Sequence, residues 1–256
     1  MKNLRSVRNP YQGDSPVNVI EKLMRTVLLS AVLMAAIGQP AYAGVAKCFG
    51  INDGNAAPLW YMVPNSGASP LPVVNPITMD RGFNAEGGTY RATTGQAYLF
   101  ECVGDNTGPC SLYEATIDFT TDTATTVNVA PNIIPGGVGA VEGSIFEITP
   151  IGTEFLYVTV GEANSVIYKF DPSDWSQVGA PVPIMGDANS ITGLAFDPTT
   201  LTYYGSDDLS SGDGVSNNAD IYTIDLSTGQ TTFAFELADN ADAEGLSFGA
   251  DGKLYT

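Results

Sequence analysis

The chain of 256 residues carries 28 acidic side chains against ten basic ones, a formal charge of −18, and contains no histidine. The missing imidazole removes Ser-His-Asp and Cys-His nucleophilic sites, His-ligated zinc and haem, and histidine general-base chemistry. So acidic a surface repels nucleic acid and anionic lipid and favours cations, salt tolerance and solubility; a saline habitat is its ordinary explanation.

Residues 1–23 are polar, hold Pro10 and Pro16, and precede a second methionine, Met24. From there "MRTVLLSAVLMAAIGQPAYA" (24–43) has one Arg, an apolar run from Val27 to Ile37, the breakers Gly38 and Pro40, and small residues at 41 and 43. This is the pattern of a secretory signal peptide cleaved before Gly44, and the run is too short to span a bilayer, which needs about 20 residues. Met24 then reads as the start, with 1–23 as a disordered upstream extension. Cleavage leaves five basic and 26 acidic residues, a formal charge of −21, and no membrane insertion.

Export exposes the three cysteines to an oxidising compartment. Cys102 and Cys110 bracket the turn-rich "VGDNTGP", so a disulfide closing a hairpin loop is the natural pairing; Cys48 is left over.

From residue 44 onward the dominant signal is internal repetition. A glycine followed by alternating apolar residues ending in an aromatic recurs as "EGGTY" (86–90), "EGSIF" (142–146), "TGLAF" (192–196) and "EGLSF" (244–248). Its glycines, 87, 143, 193 and 245, are 56, 50 and 52 residues apart. A second motif enters a short strand and polar turn: "LWYMVPNSG" (59–67), "LYEATIDFTTD" (112–122), "IYKFDPSDW" (167–175) and "IYTIDLSTG" (221–229). Its aromatics Trp60, Tyr113, Tyr168 and Tyr222 keep spacings of 53, 55 and 54. Between them lie segments such as "AKCFGIND" (46–53) and "FLYVTVGE" (155–162), and after them segments such as "TTFAFEL" (231–237). Four β-branched and aromatic segments separated by Gly, Asp, Ser and Pro turns make one blade of a β-propeller. The predicted fold is all-β: a partial blade at 44–80, blades at 81–138, 139–188 and 189–240, and a partial blade at 241–256. The last unit, "EGLSFGADGKLYT", begins a blade it does not complete, so the expectation is an incomplete, open or truncated arc of about four blades.

The motifs "GLAFDP" (193–198), "TYYG" (202–205) and "IYTIDLSTG" (221–229) resemble the repeats of secreted bacterial β-propellers of the quinoprotein-dehydrogenase-like and YVTN-like kind, over about residues 46–256. That resemblance implies the fold and leaves the function open, because such propellers include enzymes and adhesins.

Two sets of residues are candidates for chemistry. Glu86, Glu142 and Glu244 each precede a repeat glycine, where an innermost strand would start. Converging at one channel mouth, three carboxylates would repel one another or recruit a divalent cation through oxygen ligands, and calcium-dependent lactonase-like propellers hold a metal in a comparable place. Alternatively, "EG" is a repeat consensus bonded to a neighbouring blade. The polar loop "GSDDLSSGDGVSNNAD" (205–220) offers Asp207, Asp208, Asp213, Asn217, Asn218 and Asp220 as a candidate calcium loop without EF-hand spacing, or as a solvated loop. The four repeat aromatics read as packing between blades rather than as a ligand ring.

Three functional readings follow. The first is a secreted, non-catalytic binding or surface-associated module with a protein or glycan partner. The second is a calcium-dependent lactonase- or esterase-like hydrolase using the three glutamates. The third and weakest is a quinoprotein-like dehydrogenase, for which no cofactor clamp stands out.

Overall fold

A computed structural model describes residues 48–51, 59–62, 73–82, 85–104, 108–148, 152–161, 164–207, 219–237, 245–249 and 252–255. The chain divides into Met1–Val45 and Ala46–Thr256, and every described residue lies in the second unit. The expected extension and signal peptide fall outside the described residues.

All regular structure among the described residues is β, in five sheets. The first is β1 (Cys48–Ile51), β2 (Leu59–Met62) and β3 (Val73–Pro76). The second takes the short β4 (Thr78–Met79) with β5 (Ala85–Arg91), β6 (Gln96–Cys102), β7 (Cys110–Asp118) and β8 (Thr123–Ile134), in the order β4-β8-β7-β6-β5. The third is β9 (Val141–Ile148), β10 (Glu154–Val160), β11 (Val166–Phe170) and β12 (Val182–Pro183). The fourth takes β13 (Met185–Gly186) with β14 (Gly193–Asp197), β15 (Thr202–Ser206), β16 (Asp220–Asp225) and β17 (Gln230–Glu236), in the order β13-β17-β16-β15-β14. A hairpin of β18 (Ser247–Phe248) and β19 (Leu254–Tyr255) closes the series. Sequential antiparallel strands within each sheet and sheets stacked in sequence are blades of a β-propeller, the fold read from the repeats.

Successive blades meet along their first strands: β5 packs on β9, β9 on β14, and β14 on β18. The repeat glycines allow this approach. A Cβ on Gly143 would lie 3.0 Å from the carbonyl carbon of Gly193 and 3.0 Å from the nitrogen of Leu194; one on Gly87 would lie 2.9 Å from Val141 Cγ1. Side chains of period two then fill the spaces on both sides of a blade. On β6, Tyr98 and Phe100 join Leu112, Ile134, Leu156 and Phe170 between the second and third blades, while Leu99 points the other way to Ile77 and Ala115. Tyr157, Ile184, Ile191, Leu194, Tyr222 and Ile224 fill the next interface. Tyr168 and Tyr222 are buried in these cores, as packing residues should be. The side chain of Trp60 lies outside what is described.

The parallel strands β4 and β13 do not show in the four-segment repeat. Residues up to 80 and up to 188 read as the tails of the first and third blades. In the structure, Thr78–Met79 and Met185–Gly186 instead pair parallel with the outer strands of the following blades. One residue carries the chain across each time, Ile77 after Pro76 and Ile184 after Pro183; Ile77 is buried against the second blade and Ile184 between the third and fourth. An aspartate fastens each crossing. Asp80 accepts hydrogen bonds from Thr126 N–H (3.0 Å) and Thr126 Oγ1 (2.8 Å), and Asp187 accepts one from Phe233 N–H (2.8 Å).

The hairpins share a turn. Asp118, Asp171 and Asp225 each accept the N–H of the residue two further on, at 2.8–2.9 Å, and four residues after each aspartate the backbone becomes left-handed. That position is Asp122 (φ 52°) in the second blade, Trp175 (φ 60°) in the third and Gly229 (φ 75°) in the fourth.

Candidate functional site

Glu86 and Glu142 prove to be bulge residues. Ala85 pairs with Glu101 and Gly87 with Phe100, so Glu86 is the unpaired extra residue of β5. Val141 pairs with Val160 and Gly143 with Thr159, which puts Glu142 in the same position on β9. A bulge re-aims its side chain out of the strand's alternation. Both glutamates are half-buried, make contacts within the fold, and sit on strands that pack against each other. Glu244 lies outside the described residues. Among the described residues no group of three acidic or cysteine side chains is placed to hold a metal ion.

Of the candidate calcium loop, Asp208, Asp213, Asn217 and Asn218 lie outside the described residues, but the structure brings its two ends together. Asp220 N–H donates to Asp207 Oδ1 at 2.7 Å, and Asp207 N–H donates to the Asp220 carbonyl at 3.1 Å. The Tyr222 hydroxyl lies 3.1 Å from Asp207 Oδ2 and 3.3 Å from Asp220 Oδ2. It carries one proton and can donate to one carboxylate at a time. Burial, then the charges of Asp207 and Asp220, push the Tyr222 phenol far above its ordinary range. The tyrosine is therefore a neutral donor, and the pair offers hard oxygen atoms at the neck of the loop.

One further network crosses between the second and third blades and escapes sequence reading, because its partners are more than 60 residues apart along the chain. Arg91 donates through Nε (2.8 Å) and Nη2 (2.6 Å) to Glu154 Oε2, while Thr93 Oγ1 donates to Glu154 Oε1 at 2.9 Å. Beside it, Tyr98 donates to Glu114 at 2.7 Å. Tyr157 is pushed up to about 12, first by burial and then by Glu147.

The disulfide pairs Cys102 with Cys110, directly opposite each other on β6 and β7. Loop-closure entropy assigns it about 2–3 kcal/mol of stabilisation, and such bonds persist in oxidising compartments. Cys48 lies in β1, but its side chain is outside what is described.

Near this disulfide, the outer edges of the second and third blades leave an open cleft of about 360 Å³. One wall is Val129–Ile133 of β8; the other is Phe170, Asp174, Trp175 and Gln177 around the turn after β11. Both walls carry irregularities. β8 bulges where Leu112 pairs with Ala130 and Cys110 with Ile134, and Asn132 within the bulge has φ 53°. Trp175 has the left-handed backbone already noted, and its ring packs on Tyr98 (centroids 5.5 Å apart) and Phe146 (6.4 Å).

No family model and no curated protein matches this sequence. Among solved structures the chain is similar to the hydrazine synthase of Kuenenia stuttgartiensis, at 13% identity and TM-score 0.38, covering 70% of this chain and 43% of that one. It is also similar to the Dos1 propeller, at 14% identity and TM-score 0.40, covering 76% and 46%. A third similar structure is a candidate 6-phosphogluconolactonase from Bacteroides fragilis, at 11% identity and TM-score 0.44, covering 84% and 88%. The chain thus spans less than half the length of the first two.

Proposed function

We propose that the protein is a secreted, non-catalytic propeller that binds a partner at the outer rim of its blades. The observation that carries this reading is the cleft between the second and third blades. There, two non-glycine residues with left-handed backbones, Asn132 and Trp175, line one concavity. Elsewhere the repeat positions are occupied by packing and turn chemistry that the fold itself requires. The disulfide is consistent with life outside the reducing cytosol. The purified protein should co-sediment with intact cells or envelope fragments of the producing organism, with chelator present, and should not hydrolyse lactones or esters. Quantitative recovery in the supernatant would overturn the reading.

The second reading, a calcium-dependent lactonase- or esterase-like hydrolase, draws on the matching bulges at Glu86 and Glu142. It requires these residues with Glu244, or Asp207 and Asp220 with their loop, to take up calcium. Calorimetric titration with calcium decides: binding heat lost in Glu142→Gln, together with turnover, would replace the first reading, and no heat with no shift in melting temperature removes it.

A further inference from the structure

The turn position four residues after the hairpin aspartate needs a positive φ, which glycine adopts freely and bulky residues adopt only with backbone strain. The fourth blade uses Gly229 and the second uses Asp122, a residue type that tolerates this region. The third blade uses tryptophan. Its backbone is locked there: Trp175 N–H donates to Asp171 O at 2.7 Å and Asp171 N–H to Ser176 O at 2.9 Å. The matching bond in the fourth blade, Gly229 N–H to Asp225 O, is also 2.7 Å. The same turn therefore forms without the ring, and Leu201, four residues after Asp197 and also left-handed at φ 56°, shows that another bulky residue adopts this position. What sets Trp175 apart is an aromatic ring packed on two others at the cleft.

From this we infer that the cleft is a carbohydrate-binding site in which Trp175 is the stacking platform for a neutral pyranose. The inference rests on the binding-module reading and names the ligand class of that site. The indole rests on Tyr98 and Phe146, so it is held rigid, and it is half-buried with the remainder lining the cleft. An aromatic face so fixed matches the C–H face of a sugar ring at little entropic cost. Around it, the exposed side chains of Asn132, Asp174 and Gln177 supply donors and acceptors for ring hydroxyls. Gln177 is oriented by donating through Nε2 to the Gly179 carbonyl at 2.8 Å, which leaves its Oε1 as an acceptor. A carboxylate in the lining, without a lysine or arginine among the described lining residues, selects a neutral sugar over an anionic one. The volume, at the low end of ligand clefts, suits one or two rings at a time, as on a polysaccharide chain end or branch.

The test is titration of the whole secreted protein with cellohexaose, chitohexaose, laminarihexaose and maltoheptaose, followed by tryptophan fluorescence and calorimetry. Binding of at least one, weakened about tenfold in Trp175→Gly and by a smaller factor in Asn132→Ala and Gln177→Ala, is the expected result. The glycine variant keeps the backbone its siblings use. Gln177→Ala alters an exposed side chain on ordinary backbone, so it reports even if the variants at the left-handed positions 175 and 132 melt early. Saccharide binding unaffected by all three variants would overturn the assignment of the cleft. Co-sedimentation with cells that is abolished by protease treatment of those cells, with no saccharide bound, would overturn the ligand class while leaving the binding-module reading intact.

Discussion

At Gly143 a single methyl group has nowhere to go, because backbone atoms of the next blade stand 3.0 Å from where it would sit. Gly143→Ala should cost about 1–3 kcal/mol, read as a lower melting temperature, whereas an alanine at Gly152, where the added atom meets nothing within 4 Å, should pay only for its positive φ. A pH effect belongs to the same scale. Asp118, Asp197 and Asp225 are held below their ordinary value of 3.8 by hydrogen bonds to Thr120, Thr199 and Ser227 respectively. A carboxylate depressed in the folded state contributes stability that is complete above its unfolded value and disappears as pH falls through the folded one. Melting temperature should therefore hold steady above about pH 4 and drop below it. A variant with Asp118→Ala and Asp225→Ala should lie below the parent at pH 6 and converge with it near pH 2.5. Equal separation at both pH values would show that these carboxylates do not act through ionisation. Asp118 and Asp225 are exposed and Asp197 is only half-buried, so the individual share of each is small.

At the scale of elements, the long strands were legible and the short ones were not. Glycine-led first strands and aromatic third strands announce themselves because axis crowding and inter-blade burial impose one residue type per blade. Strands β4 and β13 have two residues each, too few for any periodicity, and they pair with β8 and β17 more than 40 residues later. Their trace in the sequence is "PITMD" (76–80) and "PIMGD" (183–187), recognisable once the buried isoleucine and the bonded aspartate are known. The strain at Trp175 was hidden for a related reason: the residue looks ordinary until its turn is laid beside those of Asp122 and Gly229. Likewise, nothing local links Asp207 to Asp220 across their loop. Ile184→Ala should cost about 2–5 kcal/mol as a buried aliphatic truncation, and it should also speed hydrogen exchange at Met185 N–H, which donates to Gly229 O across the crossing. Unchanged exchange there would mean that the isoleucine packs without fastening the strand.

Across the molecule, the crossings do not occur at every junction. Among the described residues they join the first blade to the second and the third to the fourth, whereas β8 runs on to Ile134 and the third sheet has no parallel strand. That middle junction is where the cleft opens. The unit that could be inherited or lost as a block is then not one blade but two, cut within the paired Pro-Ile steps. Removing residues 77–183 would join Pro76 to Ile184, restoring the Pro-Ile step at which one blade hands its edge to the next. Removing the third blade alone, residues 135–183, would keep both parallel pairs but place a crossing directly after β8, where the parent chain has none. Expression of both deletions, compared by cooperative melting, should give a folded protein only for the two-blade excision. A propeller built this way grows in pairs, and the cleft between the second and third blades falls inside the pair, so each duplication would copy the whole cleft.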